Sequence, residues 1–466
     1  MSISPAHRNT ITYAAAIAVA TIAGLLLVSP APKAPMLLGV LVISALAVIA
    51  FEFPLMIYAA LAVLLGLFSE DPGDTLIPGR GTAWTGLISG ITPAEILLAL
   101  LVIAAVIARL TDTRPVPIWP GAPALAALVL AATGIGSALA FHQLRNGLRG
   151  TQPSITLFFA VVAGYWLARR YGSKRLLLWL VVASALLLPQ GLYNGFVLGQ
   201  LSYYDASPIF LLGICSILVA FKVVDLAAWR IPYLVFATLV IVLSLRRAIW
   251  IDIVVALAIT GLWSRRSGFR AVIALGLGVV VVLELVYPGA AFSYIEHAVR
   301  YTTGAQGREF STDYRRWETA NAWMNVKQHP LTGIGPDGRW TLLNSFDGQF
   351  RPYGFTYLHN SYLLVWLRLG LLGLVAYVAF LLTSIWMLLG RRLPLESIVV
   401  GAMMAGLTVA VYTASFLVTA ARWPTTVGLL LGIGLAARAR TQPAEKDAEL
   451  TQTDDFPRDE LMPSKN

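Results

Sequence analysis

The sequence predicts an all-α polytopic membrane protein of about 14 transmembrane helices (12–14), and three observations carry that prediction. Hydrophobic residues make up 58% of the 466 and charged residues only 12%, unlike a soluble domain of ordinary composition. Apolar runs of about 15 to 20 residues recur from end to end, close to the length a helix needs to cross a bilayer. Basic residues gather in short connections at intervals that fit strict alternation of inside and outside.

In chain order, the spans start near Ile11, Pro35, Pro54, Pro93, Gly121, Ile155, Arg175, Pro208, Ile231, Ala248, Ala271, His359, Leu395 and Pro424. His7 and Arg8 precede the first run, and Ser29-Pro-Ala-Pro after it resembles a cleavage region. Because further spans follow at once, that run reads as a retained helix. The single Cys215 lies in an apolar run, which leaves no disulfide framework or thiolate metal site. The net charge of +10 is spread over loops with no basic arm, which argues against a nucleic-acid partner.

Four basic connections read as cytoplasmic: Arg169 to Arg175, Lys222 with Arg230, Arg265-Arg266 with Arg270, and Arg391-Arg392. Both termini then face the cytoplasm. Residues 1–437 form one transmembrane domain, including a large outer, periplasmic loop over 288–358, and 438–466 form a disordered cytoplasmic tail. The outer loop after Glu70 holds Asp71 and Asp74. It reads as a solvated loop, since its acids form no metal-ligand pattern.

Several arginines sit on the outer side, against the topological bias. They are Arg145 and Arg149 in an outer loop, Arg246 and Arg247 at a helix junction, and Arg422 at another. A guanidinium suits fork-like recognition of phosphate. Snorkelling, or pairing with Asp252 or Glu284, is the other reading of each. For Arg246-Arg247 two adjacent like charges call for a multivalent partner.

Within the outer loop, residues 313–327 read as a helix capped by Thr312 or Asp313. Trp317, Ala320, Trp323 and Met324 make an apolar stripe suited to lying over the bundle. Arg315 and Arg316 project from it, toward a membrane cavity or into solvent. His329-Pro-Leu-Thr-Gly-Ile-Gly-Pro336 then ends the helix in a turn. A phosphate cradle there is a weak reading, because no strand precedes the glycines. Trp317, Trp340 and Tyr357 read as sugar-stacking faces or interfacial anchors.

The late span opens on the polar stretch Tyr357-Leu-His-Asn-Ser-Tyr362. From His359 to Leu389 a straight helix would run roughly 45 Å, against ~30 Å of bilayer core. Either its first turns stand outside, or it tilts or breaks near Gly370 and Gly373. Both leave His359 near the outer water interface. Spacing puts His359, Tyr362, Leu363 and Trp366 on one face, with Arg368 roughly 13 Å deeper than His359. An imidazole beside a hydroxyl can exchange protons near neutral pH. A helix cap made by His359 and Asn360 fits the local sequence as well.

Three patches carry a family resemblance. His359-Asn360, nine residues, Gly370, two residues and Gly373 form the first. The second is Arg315 followed fourteen residues on by His329-Pro-Leu-Thr-Gly-Ile-Gly335. The third, Leu243-Ser-Leu-Arg-Arg-Ala-Ile-Trp250, is looser, with Arg247 aligned with the family arginine. There Arg246 stands where the family has serine, and Ala248 where it has glycine. In this order they resemble the bacterial O-antigen ligase and Wzy-type polysaccharide polymerase superfamily.

The resemblance implies a C-type glycosyltransferase-like fold in the bacterial inner membrane and a periplasmic active site. It implies an undecaprenyl-pyrophosphate-linked glycan donor, a glycan or lipid A-core acceptor, and inverting transfer without metal or cofactor. A chain-length regulator is a further expected partner. His359, Arg247 and Arg315 are then the expected catalytic residues. Arg246, Arg316, Asn360, Tyr362, Arg149, Arg145 and Arg422 are the expected substrate-binding residues. The product is O-antigen, joined to lipopolysaccharide, or an exopolysaccharide. A flippase or exporter of lipid-linked saccharide is the alternative, though it would more often show internal repeats.

Overall fold

The structure is a computed structural model and describes residues 53–66, 92–111, 117–142, 144–196, 207–244, 247–264, 310–340, 358–390, 392–412 and 422–441. The expected spans near Ile11, Pro35 and Ala271, the acidic loop with Glu70, Asp71 and Asp74, and most of the tail lie outside these. Among the described residues every regular element is helical. In order they are α1 (Pro54–Gly66), α2 (Pro93–Thr111), α3 (Ala122–Ala140), α4 (Leu144–Tyr171), α5 (Ser173–Ala185), α6 (Leu187–Phe196) and α7 (Ser207–Ala220). There follow α8 (Arg230–Leu243), α9 (Arg247–Ser264), α10 (Phe310–Gln328), α11 (Ser361–Leu388), α12 (Leu395–Ala410) and α13 (Arg422–Ala439). Within them, Pro93–Leu110, Ala122–Ala140, Gly147–Tyr171 and Ser361–Leu388 are, by length and composition, able to cross a membrane. The protein is a helical membrane protein.

Its frame is the pairing of α4 with α13. Gly428 and Gly432 of α13 lie against the α4 backbone at Leu157 and Val161, and Gly164 of α4 returns the contact. A Cβ on Gly164 would stand 2.6 Å from the Leu429 carbonyl oxygen. Between membrane helices there is no water to expel, so association relies on such close backbone approach. A polar knot ties α2 to the same helix. The Glu95 carboxylate accepts the Thr92 N–H at 2.8 Å and the Thr92 hydroxyl at 2.9 Å. Thr92 Oγ1 accepts the Glu95 N–H in return, a capping box. The same carboxylate takes the Thr156 hydroxyl at 3.0 Å and the Gln152 amide of α4.

Two boundaries differ from the sequence reading. α4 begins at Leu144, so Arg145 and Arg149 lie on a helix and not in a loop. It continues through Pro153, and the Thr151 hydroxyl donates to the Gly147 and Leu148 carbonyls in the turn below that proline. The span expected from Arg175 is two helices, α5 and α6, parted by a turn at Leu186.

One end of the bundle is basic. The Arg440 guanidinium bonds the Ala168 carbonyl near the end of α4, and Arg438 bonds the Met387 carbonyl near the end of α11. Gly121, before α3, lies against Met387 at the same end. At the opposite end of α4, Gly150 abuts Pro336 of the turn after α10. The helix between Gly150 and Arg170 is about 30 Å long, close to a bilayer core.

α11 is two helices. Gly370 is left-handed, with φ 68°, and breaks the rod into arms 361–369 and 371–388. The arms fold back on each other: Tyr362 and Tyr377, which a straight helix would hold roughly 22 Å apart, have ring centroids 5.7 Å apart. Only residues 371–388 are therefore placed to cross, over ~27 Å of helix. The Ser361 N–H donates to the Val411 carbonyl at the end of α12. Gly401 of α12 packs on Leu388, which sets Val411 about 15 Å from the level of Leu388. The start of the first arm thus lies within the height of the bundle. From there it rises to its apex at Gly370, so Arg368 is at the apex and not deeper than His359.

Replacing Gly432 with Val should force α13 off α4 and destabilise the detergent-solubilised protein by about 2 kcal/mol or more. Gly136→Ala, where no atom stands within 4 Å of the added Cβ, should leave the thermal midpoint unchanged or raise it.

Candidate functional site

The site forms where α10, the turn that follows it and the first arm of α11 meet. The turn holds the break. Ile334 N–H donates to the Leu367 carbonyl at 2.8 Å, Gly335 N–H to the Arg368 carbonyl at 3.1 Å, and Leu371 N–H to the Leu331 carbonyl at 3.2 Å. These are groups that a break in a helix leaves without intrahelical partners. Gly333 has φ 68° and Gly335 φ 91°, and a Cβ on Gly333 would stand 2.6 Å from the Arg368 carbonyl oxygen. The glycines expected as a weak phosphate cradle thus serve a backbone joint. Trp366 closes it: Nε1 donates to the Pro330 carbonyl at 2.8 Å, and its ring meets Trp323 edge-on at 5.4 Å.

Asn360 caps the first arm, its Oδ1 accepting the Leu363 N–H at 3.0 Å. His359 therefore precedes the helix and does not share its face with Tyr362 and Trp366. The Tyr362 hydroxyl donates to the Thr408 carbonyl of α12 at 2.7 Å. So Asn360 and Tyr362 fasten the arm that follows His359.

His359 is engaged by Glu318 of α10. Its Nδ1 lies 2.8 Å from Glu318 Oε2, and its backbone N–H donates to the same oxygen at 3.1 Å. Glu318 is 2% exposed, while the His359 side chain keeps 29% of its surface open. Tyr314, one turn before Glu318, presents its ring edge-on to the imidazole at 6.5 Å. Carboxylate and imidazole together can hold one ring orientation and accept a proton at the other nitrogen.

Glu318 is the residue that the sequence reading passed over. Its signal was the spacing Glu318, Asn321, Ala322, Asn325, Val326, which is the buried face of α10. The apolar stripe expected to face inward does not: Ala320 and Trp323 are exposed, and Trp317 and Met324 half-buried. Burying the polar face is feasible because Asn321 Nδ2 donates to the Trp317 carbonyl and Asn325 Nδ2 to the Asn321 carbonyl, each at 2.9 Å. The helix also starts at Phe310, so Thr312 and Asp313 lie in its first turn and not at its cap.

The expected arginines part company. Arg315 and Arg316 are exposed on α10, within one turn of Glu318. Arg149 is exposed on α4, beside the Gly150 that abuts Pro336. Arg247 opens α9 and Arg145 lies in the first turn of α4; Arg246 and Tyr357 lie outside the described residues. Arg422 is not at a rim. It is 2% exposed, and its Nη2 donates to the Leu65 carbonyl at 2.6 Å. The last carbonyls of α1 lack helical donors and attract a cation. Trp340 is buried, with no open face for a sugar.

Residues 232–378, about a third of the chain, match the family described as O-antigen ligase, Wzy_C. The matched segment runs from α8 into the second arm of α11 and holds α10, the turn and His359. No curated protein sequence matches the chain.

Gly370→Ala should cost ~1–3 kcal/mol for the positive-φ, extended backbone alone, with a further penalty because its Cβ would enter the Leu331 carbonyl. Limited proteolysis of the solubilised protein should then cut within 329–338, where the wild type resists.

Proposed function

We propose that this chain, in which residues 232–378 form a segment of the O-antigen ligase family, transfers a glycan from a polyprenyl-pyrophosphate carrier to an acceptor hydroxyl. The observation that carries the reading is the seat of His359: a part-open imidazole inside the matched segment, at the start of a helix arm folded back into the bundle. In the reaction the acceptor oxygen attacks the anomeric carbon of the donor sugar. His359 takes the hydroxyl proton, and the bond from sugar to carrier pyrophosphate breaks. Exposed guanidiniums near the site can neutralise the departing pyrophosphate. Arg315 and Arg316, exposed within one turn of Glu318, support that reading, and Arg149, Arg145, Arg246 and Arg247 complete the proposed set. Arg422 is left out, since its guanidinium is committed inside the bundle.

The sidedness proposed is an inner-membrane protein of 12–14 spans, with the basic end toward the cytoplasm and His359 accessible from the periplasmic side. Arg169, Arg170, Arg438 and Arg440 at that end support it. Residues 1–437 then act as one transmembrane unit.

Two acceptors fit one chemistry. Another carrier-linked repeat unit makes the protein a polymerase; lipid A-core makes it a ligase. A gene deletion complemented by wild type or by His359→Ala tests the reading. We expect His359→Ala to accumulate in the membrane yet leave glycan transfer at the level of the deletion. Single repeat units in the deletion would identify a polymerase, and long polymer stranded on the carrier a ligase. Normal surface glycan with His359→Ala would overturn His359 as the base.

A further inference from the structure

Glu318 is a carboxylate almost fully withdrawn from solvent, on a helix whose Arg315, Arg316 and Lys327 are exposed. Burial of a charge is costly unless it is compensated. Among the described residues compensation comes from His359, forty-one positions away, which brings its backbone N–H and its ring Nδ1 to one oxygen of the carboxylate. The paired contact fixes more than distance. The backbone N–H bond sets where the His359 main chain lies against α10, and the Nδ1 bond then sets the rotation of the ring. Tyr314 flanks the ring from the same helix.

We propose that Glu318 is a positioning residue for the transfer reaction, holding His359 with its proton on Nδ1 so that Nε2 is the nitrogen that accepts the acceptor's proton. This rests on the reading of His359 as the base. An ionised carboxylate only accepts hydrogen bonds, so its partner Nδ1 carries hydrogen. Nδ1 is thereby committed, and the proton leaving the acceptor hydroxyl goes to Nε2. As that proton arrives, a new bond forms between acceptor oxygen and sugar, and the sugar–pyrophosphate bond breaks with its electron pair leaving on the pyrophosphate. The imidazolium so formed stands against the buried carboxylate, which stabilises it until the proton passes to water. α10 then has two duties. Glu318 orients the base, and Arg315, exposed one turn earlier on the helix, meets the donor's charge.

The test uses the full chain in membranes of the deletion strain, supplied with the carrier-linked glycan that accumulates there, and reads turnover and KM separately. Glu318→Gln keeps the size but not the charge. It should lower turnover ~100-fold with KM within a factor of ~3, and Glu318→Asp should recover part of the loss. Since Glu318 acts through His359, adding Glu318→Gln to His359→Ala should change nothing further. Wild-type turnover in Glu318→Gln, with His359→Ala inactive, would overturn the role of Glu318 and leave His359 as the base. An active His359→Ala would overturn the base itself. If Glu318→Gln does not accumulate in the membrane, Glu318→Asp carries the test: reduced turnover at unchanged KM supports the role, and wild-type turnover overturns it.

Discussion

The fold-back at Gly370 is the constraint on which the site depends. A helix cannot reverse in an apolar bundle without leaving carbonyls and N–H groups unpaired, and each of these is expensive away from water. The turn after α10 takes up those groups with three backbone hydrogen bonds. The break and the turn therefore require each other: Gly370 and Gly335 provide the positive-φ backbone, Gly333 the clearance as well, and neither half is satisfied alone. The two glycine-containing motifs are the two sides of one joint.

From the joint, α10 and the first arm of α11 run together, away from the apex and into the bundle. Trp323 meets Trp366 near the joint, and Glu318 meets His359 near the far end. The imidazole is thus held by two elements that are each anchored elsewhere, α10 by the turn and the arm by α12. Such support from rigid elements holds a side chain more closely than a loop would. It also leaves the imidazole only part open to water, which strengthens electrostatic interactions with charges beside it.

The α4–α13 pair is the frame against which this assembly sits. Close backbone approach at glycines brings α4 to a fixed height, and Gly150 near its upper end meets the turn at Pro336. Arg422 serves the same frame by binding the end of α1. An arginine on the outer side can equally be a ligand for phosphate or a clamp for a helix terminus, and one-dimensional topology does not tell these apart.

Composition and run length by themselves determined the class of this protein, because the demand for backbone satisfaction in lipid leaves helices as the answer to long apolar runs. Local spacing also marked His359, Asn360, Gly370 and Gly373, and the excess length of the last long span announced a break. What only the tertiary structure decided was direction and partnership. A single left-handed residue reverses an arm, so Arg368 moved from below His359 to above it. Asn360 and Tyr362, sequence neighbours of the imidazole, turned out to secure its support. Its partner Glu318 lies forty-one residues away, on a helix whose apolar stripe suggested the opposite face. Periodicity reports which residues share a side, but which side is buried depends on the surface it meets. The surface here is a broken helix, offering an N–H and an imidazole to a carboxylate.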